Sequence, residues 1–236
     1  MSISIVYDDP NFLVINKPAG IITHPKNIDD QQASVCDWVD QNYPDLKNIG
    51  EPFIASGFPV PRHGIVHRLD KDTSGLMIIV KNNDSFAYFK DLFQGRKIQK
   101  KYFALVIGKL KSPSGTINAP LGRIGMKRTT KLVGNKLIDG KEATTEYKVI
   151  KAYENFSLVE VSPKTGRTHQ IRVHLKSIGH PVAGDPVYGI SRSDFPMPPR
   201  LFLHAFKLEF TAPDGQALAI ETDLPPDLQN FLNTIQ

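Results

Sequence analysis

Residues 76–80, Leu-Met-Ile-Ile-Val, form an unbroken apolar run of strand length, and eight of the ten residues from His67 to Leu76 are polar, charged or glycine. An apolar run this short, entered from so polar a segment, predicts a central strand buried on both faces whose leading end meets solvent. Residues 64–81 therefore place His67, Arg68, Asp70 and Asp72 where a packed sheet gives way to loop, and functional side chains concentrate in such loops. Two readings of Asp70 compete here. It is an ordinary turn residue among Asp72, Thr73, Ser74 and Gly75, or it is a nucleophile or base held on a rigid element.

The rest of the chain frames that strand. Residues 4–7 and 12–16 read as a hairpin around Asp8-Asp9-Pro10-Asn11, followed by the breaker cluster Lys17-Pro18-Ala19-Gly20 and a loop histidine, His24. Residues 34–43 predict a helix burying Val35, Trp38 and Val39, ended by Pro44. Residues 47–63, rich in Gly and Pro and without a period, read as a long loop, a feature more often functional than idle. Residues 84–93 predict an amphipathic helix with a Phe86, Phe89 and Phe93 stripe and Gly95 as its cap. Strands are expected at 102–106, 116–120, 143–150, 156–161, 202–210 and 217–220. Helices are expected at 169–177, with Ile171, Val173, His174 and Leu175 in period, and at 227–234. Hairpins mixed with helices, and no repeating βαβ, give an α+β fold with a largely antiparallel sheet in one domain spanning residues 1–236.

Several chemistries are excluded. Cys36 is the only cysteine, so no internal disulfide and no thiolate metal cluster can form. Cys36 itself reads as a small apolar helix residue. His63 and His67 are four apart, but Gly64 stands where a zinc-protease helix needs glutamate. Residues 134–141 have one residue too many for a phosphate-binding loop, and Asp72 occupies the glycine position of a nucleophile elbow before Ser74. No G-x-G-x-x-G occurs. The first ten residues lack the basic-then-apolar pattern of a secretory signal, and no apolar run reaches spanning length. Any chemistry falls to carboxylate, tyrosine, arginine and histidine side chains.

Charge is segregated. The net value is +5, yet residues 92–138 contain no Asp or Glu and eleven Lys or Arg, so the remainder is net acidic. Clustered cations gain affinity for polyanions by releasing counterions from phosphates, and residues 122–137, basic and glycine-containing, are expected to be a flexible RNA-contacting loop.

The stretch His67-Arg68-Leu69-Asp70-Lys71-Asp72-Thr73-Ser74-Gly75-Leu76 resembles the signature of the RluA-type pseudouridine synthases. Asn16-Lys17-Pro18-Ala19-Gly20 resembles that family's first motif, and Lys101-Tyr102-Phe103-Ala104-Leu105-Val106 its tyrosine motif. The run from Thr165 through Leu175, with Gly179-His180-Pro181 and Gly184-Asp185, is similar to its third, and Arg200-Leu201-Phe202-Leu203-His204-Ala205 to its last. The motifs occur in the family's order from about Ile5 to Phe210.

The resemblance implies the pseudouridine synthase catalytic fold and isomerisation of uridine in ribosomal or transfer RNA without cofactor or metal. By motif position Asp70 is the essential carboxylate. Three chemistries suit it: attack on the sugar, attack on the uracil ring, or removal of a sugar proton. Arg172 matches the arginine expected to pair with that aspartate and keep it ionised. Tyr102 matches the ring expected to stack on the target uracil, a contact worth about 1–3 kcal/mol. Arg68 is implied to fill the space left by an everted nucleotide, His67 to assist at the backbone, and Leu203 to line the uracil pocket. Several family members carry a small N-terminal RNA-binding domain, whereas here the first catalytic strand begins almost at Met1. RNA affinity is then expected from the catalytic domain, through residues 92–138. A monomeric cytosolic protein is expected, with RNA as its partner and no membrane association. Two other readings compete: a catalytically silent RNA-binding protein, against which intact Asp70, Tyr102 and Arg172 speak, and a glycoside-cleaving carboxylate hydrolase using Asp70 and Asp72, which leaves the later motifs unexplained.

Overall fold

A computed structural model describes residues 2–25, 30–55, 57–124, 127–130, 138–190 and 194–235. The fold is α+β with largely antiparallel strand pairing, as expected. The chain gathers into two compact units, Met1–Gln99 with Ala205–Thr222, and Lys100–His204 with Asp223–Gln236.

In the first unit, β1 (Ser4–Asp8) pairs antiparallel with β2 (Phe12–Lys17), and β2 pairs with β5 (Ser74–Val80). Next in order comes β13 (Leu203–Thr211), whose other partner in this unit is β14 (Ala217–Glu221). Every residue of β5 is buried, as its continuous apolar run requires of a central strand. It starts two residues earlier than the apolar run, because Gly75, at φ 119°, lets the chain pass against Ala205; a Cβ there would lie 2.2 Å from the Ala205 carbonyl oxygen.

Helix α1 (Val35–Asn42) opens with a reciprocal cap. Ser34 Oγ accepts the Asp37 N–H at 3.1 Å while Asp37 Oδ2 accepts the Ser34 N–H at 2.8 Å. Its buried residues are Val35, Cys36 and Val39; Trp38, expected in that stripe, is half-buried and leans on Tyr43. Residues 47–63 are not the structureless loop the composition predicts. They contain β3 (Phe53–Ala55) and β4 (Phe58–Val60), a short hairpin. Helix α2 (Asn83–Gln94), capped by Asn82, packs Phe86, Phe89 and Leu92 onto the core around Phe12, Ile78 and Phe210. Phe93 packs half-buried against the same core, as expected, and also stacks on His67, while Leu92 is the more deeply buried residue at that end.

In the second unit the strand order is β6 (Gln99–Ile107), β12 (Phe156–Pro163), β11 (Thr144–Ala152), β7 (Ser114–Asn118), all antiparallel. Phe156, Leu158 and Phe202 pack with Leu228, Phe231 and Leu232 of α4 (Pro226–Thr234). Helix α3 (Gln170–Ser177) follows His169, a non-glycine residue in the left-handed region at φ 56°. Residues 125–126 and 131–137 of the expected basic loop lie outside the described residues. Around them the chain forms a three-stranded sheet rather than loop: β8 (Leu121–Ile124) lies between β9 (Lys127–Thr129) and β10 (Ile138–Lys141). Among the described residues no helix is long and apolar enough to cross a membrane.

Candidate active site

Asp70 sits, half-buried, on the segment that feeds β5, and the backbone around it is held from several sides. Ahead of it, the Thr23 hydroxyl donates to the Leu69 carbonyl at 2.9 Å and accepts the Leu69 N–H at 3.3 Å. The Asp70 carbonyl accepts the Thr73 N–H at 3.2 Å. Behind it, the Lys71 carbonyl accepts the Gly20 N–H at 2.9 Å and the Lys17 ammonium at 3.1 Å. Lys17 is wholly buried, and its Nζ also donates to the carbonyls of Pro18 and Ile21, both at 2.8 Å. An ammonium has three protons, so this buried cation is supplied with three acceptors, the condition under which burying a charge is tolerable. The first motif is thereby fastened to the Asp70 motif through one lysine and one glycine.

His67 is half-buried. Its Nε2 accepts the Ile78 N–H at 2.8 Å, which leaves the ring proton to Nδ1, and the ring stacks on Phe93 at 4.5 Å and 25°. The histidine thus anchors the loop to the buried strand while Arg68 beside it is exposed. In the same unit, burial first, then the charges of Arg62, Arg68 and His63, push the His24 imidazole down to about 3. Cys36 Sγ lies 3.3 Å from His24 Nδ1 and 3.5 Å from the Thr23 carbonyl.

In the second unit Arg172 is buried, which excludes a solvent-facing helix arginine. Its Nε and Nη2 grip Asp185 Oδ2 and Oδ1 at 2.7 and 2.8 Å, and the guanidinium lies 5.1 Å above the Tyr188 ring. Asp185 Oδ1 also accepts the N–H groups of Val187 and Tyr188, at 2.8 and 2.9 Å. Burial alone would raise the Asp185 carboxyl, but the bonds and charge of Arg172, with those two amides, outweigh it and hold it below its ordinary value. The Tyr188 hydroxyl contacts His169 Nδ1 at 2.8 Å and accepts the Arg128 N–H at 3.2 Å. Two of the five guanidinium N–H groups of Arg172 are used in the Asp185 fork.

The turn ahead of α3 is built by Gln170. Its amide nitrogen donates to the Thr144 carbonyl and the Thr145 hydroxyl, and its oxygen accepts from the Thr165 hydroxyl at 2.6 Å and the Arg167 N–H at 3.0 Å. His174, fully buried, bridges Thr145 Oγ1 and the Ala119 carbonyl, and desolvation lowers its pKa, so it is a neutral structural histidine. Tyr102 is buried on β6 opposite Val161, and Leu203 is buried at the start of β13. Lys100, next to the tyrosine motif, has its pKa lowered by burial. Among the described residues no group of three or more His, Cys, Asp or Glu side chains is gathered as metal ligands would be.

His67, Arg68 and Asp70 thus share one held segment of the first unit, while Tyr102, Arg172 and Leu203 belong to the second. Sequence reasoning gave no role to Thr23, Lys17 or Asp185. Lys17 carried one usable signal, a lysine closing an apolar strand directly before Pro18. A family model described as RNA pseudouridylate synthase matches residues 11–177, a span that takes in the first motif, the Asp70 signature, Tyr102 and Arg172. The chain belongs to the RNA pseudouridylate synthase family. It is 39% identical to the ribosomal large subunit pseudouridine synthase D of Nitrosomonas europaea, over 99% of this chain and 65% of that protein. The enzyme of the same name from Pseudomonas aeruginosa is 37% identical, over 100% of this chain and 72% of the other. The chain therefore spans about two thirds of the length of these curated relatives. Among solved structures, human RNA pseudouridylate synthase domain containing 4 superposes with a TM-score of 0.76 at 25% identity, covering 98% of this chain and 92% of that one. Human RNA pseudouridylate synthase domain containing 1 gives 0.73 at 28%, covering 96% and 86%.

Proposed function

We propose that this member of the RNA pseudouridylate synthase family isomerises uridine to pseudouridine in ribosomal RNA, with Asp70 as the essential carboxylate. The observation that carries the reading is the held segment around Asp70. A half-buried acid at the mouth of a fully buried strand, its own carbonyl and those of both neighbours hydrogen-bonded, is built to present one carboxylate in one direction. A turn aspartate with no task needs no such framing. Ribosomal RNA is favoured over transfer RNA because the relatives above are named for the ribosomal large subunit.

In the proposed reaction the bond from N1 of uracil to the sugar breaks, the base turns, and carbon 5 is joined to the same sugar carbon. The hydrogen on carbon 5 leaves and N1 gains one, so no co-reactant is consumed. Asp70 acts as nucleophile or base and is regenerated. By motif position Arg172, whose guanidinium is oriented by Asp185, is the arginine of the proposed reaction, and Tyr102 offers its ring to the detached base. Leu203 lines the uracil pocket. Turning the uridine out of its stack costs a few kcal/mol, which Arg68 and the backbone contact of His67 help offset. The protein works as a cytosolic monomer on this proposal.

RNA from a strain lacking the protein, incubated with the purified chain and mapped chemically for pseudouridine, tests the reading. A new modified position in ribosomal RNA, absent with Asp70→Asn, is the expected result. Modification confined to transfer RNA would overturn the substrate assignment, and full activity in Asp70→Asn would overturn the catalytic one.

A further inference from the structure

Resting on Asp70 as the essential carboxylate, we infer that Thr23 is a positioning residue for the reaction: its hydroxyl sets the direction in which the Asp70 side chain projects. The Asp70 Cα joins two rigid peptide planes, and their rotations are the two soft dihedrals that aim its Cβ. The plane before it contains the Leu69 carbonyl, which accepts the Thr23 O–H at 2.9 Å; the plane after it contains the Asp70 carbonyl, which accepts the Thr73 N–H at 3.2 Å. Thr23 Oγ1 also accepts the Leu69 N–H at 3.3 Å, so one hydroxyl bears on two successive planes immediately ahead of the acid, from 46 residues away in sequence.

Thr23 is itself fixed. It is buried, it follows Ile22, whose N–H and C=O pair with Ala33 and Val35 at the start of α1, and its own carbonyl receives the Cys36 thiol. Its one hydroxyl proton has two acceptors in reach, the Leu69 carbonyl at 2.9 Å and the Met77 thioether at 4.0 Å; the oxygen is nearer and the stronger acceptor. This framing suits an acid that serves two bonds in one turnover, with the base turning between them. If the Leu69 plane rotates, the carboxylate is displaced from both, and a misplacement of about 1 Å can cost about 100-fold in rate.

Thr23→Val keeps the shape and removes the hydroxyl; Thr23→Ser keeps the hydroxyl and loses a methyl. The full chain is given RNA carrying uridine tritiated at carbon 5, which loses its label when that carbon is joined to the sugar. Single-turnover rate, RNA affinity and thermal midpoint are read together. Thr23→Val is expected to react about 10- to 100-fold more slowly at unchanged RNA affinity, with Thr23→Ser restored to within about threefold of the natural protein. If Thr23→Val does not fold, Thr23→Ala beside Thr23→Ser makes the same comparison. The inference is overturned if the hydroxyl-free variant reacts at the natural rate, or if it and Thr23→Ser slow alike in step with their thermal midpoints. Natural protein that releases no tritium, or Asp70→Asn that releases it at full rate, overturns instead the reading of Asp70 beneath it.

Discussion

The Arg172 guanidinium and the Asp185 carboxylate face each other as a buried fork, Nε to Oδ2 at 2.7 Å and Nη2 to Oδ1 at 2.8 Å. With side chains only 4% and 0% exposed, water screens little of the attraction and cannot replace a missing partner. Removing one member of such a pair typically costs about 3–5 kcal/mol, because the other charge is left buried. Asp185→Asn is therefore expected to lower unfolding stability by an amount in that range at pH 7, measured by urea denaturation. The sign with pH follows from the depressed carboxyl. The pair's contribution is present above the ordinary carboxylate value and is lost as pH falls through the lower folded value, so natural protein and variant should converge in acid.

Two glycines with positive φ give a matched pair of substitutions. Gly75, at φ 119°, would place a Cβ 2.2 Å from the Ala205 carbonyl oxygen, backbone that cannot step aside. Gly215, at φ 90°, would meet nothing within 4 Å. Gly215→Ala should cost only the conformational strain of about 1–2 kcal/mol, whereas Gly75→Ala should cost more than about 4 kcal/mol or prevent folding. Comparable thermal midpoints for the two would contradict the close approach of β5 to residue 205.

What could be read from the chain alone, and what could not, follows from range. Residues 76–80 announce a buried strand because five apolar residues in a row have one economical place in a small sheet, and residues 170–177 announce a helix by their period. Asp70 was legible because its neighbours form a long contiguous signature. Thr23 was not, since its meaning lies in a bond to a residue 46 positions away and nothing local distinguishes it from any loop threonine. Asp185 stood inside a recognised motif, but its partner across 13 residues was set by how α3 packs. The β3–β4 hairpin escaped because three-residue strands cannot show alternation, and the His67 ring that also stacks on Phe93 could not be read from helical spacing.

Acid should loosen both units through neutral buried histidines. His24 is pushed down to about 3, by burial first and then by Arg62 and Arg68, and His204 to about 4, by burial first and then by Arg200. An unfolded histidine takes up its proton near pH 6.5, so between that pH and the folded value the unfolded chain binds more protons and stability falls as pH falls. His24→Gln should flatten the stability–pH slope between about pH 6 and 4 relative to the natural protein, as measured by urea midpoints. An unchanged slope would place the His24 ring in water.

Cys36 should be inert as a thiol. Burial first, then the charges of Asp37 and Asp40, push it up to about 12, and the thiolate is the reactive form. Alkylation by iodoacetamide at pH 8 should proceed only on unfolding, so its rate should rise with urea along the unfolding transition.

Across the β8–β9 pair Arg123 stands directly opposite Arg128, two like charges on one face. Directly opposed like charges destabilise a strand pair, by about 0.2–1 kcal/mol, unless an anion lies between them. The basic composition of residues 92–138 predicts RNA contact there, and on that expectation the phosphate backbone is the anion that meets the pair. Two measurements on one variant should then move in opposite directions. Arg123→Ala should leave thermal stability unchanged or slightly raised, while RNA affinity falls and the slope of log affinity against log salt shrinks by about one. If the variant loses stability, Arg123 is tied into the protein itself; if the salt slope does not change, the strand pair does not touch phosphate.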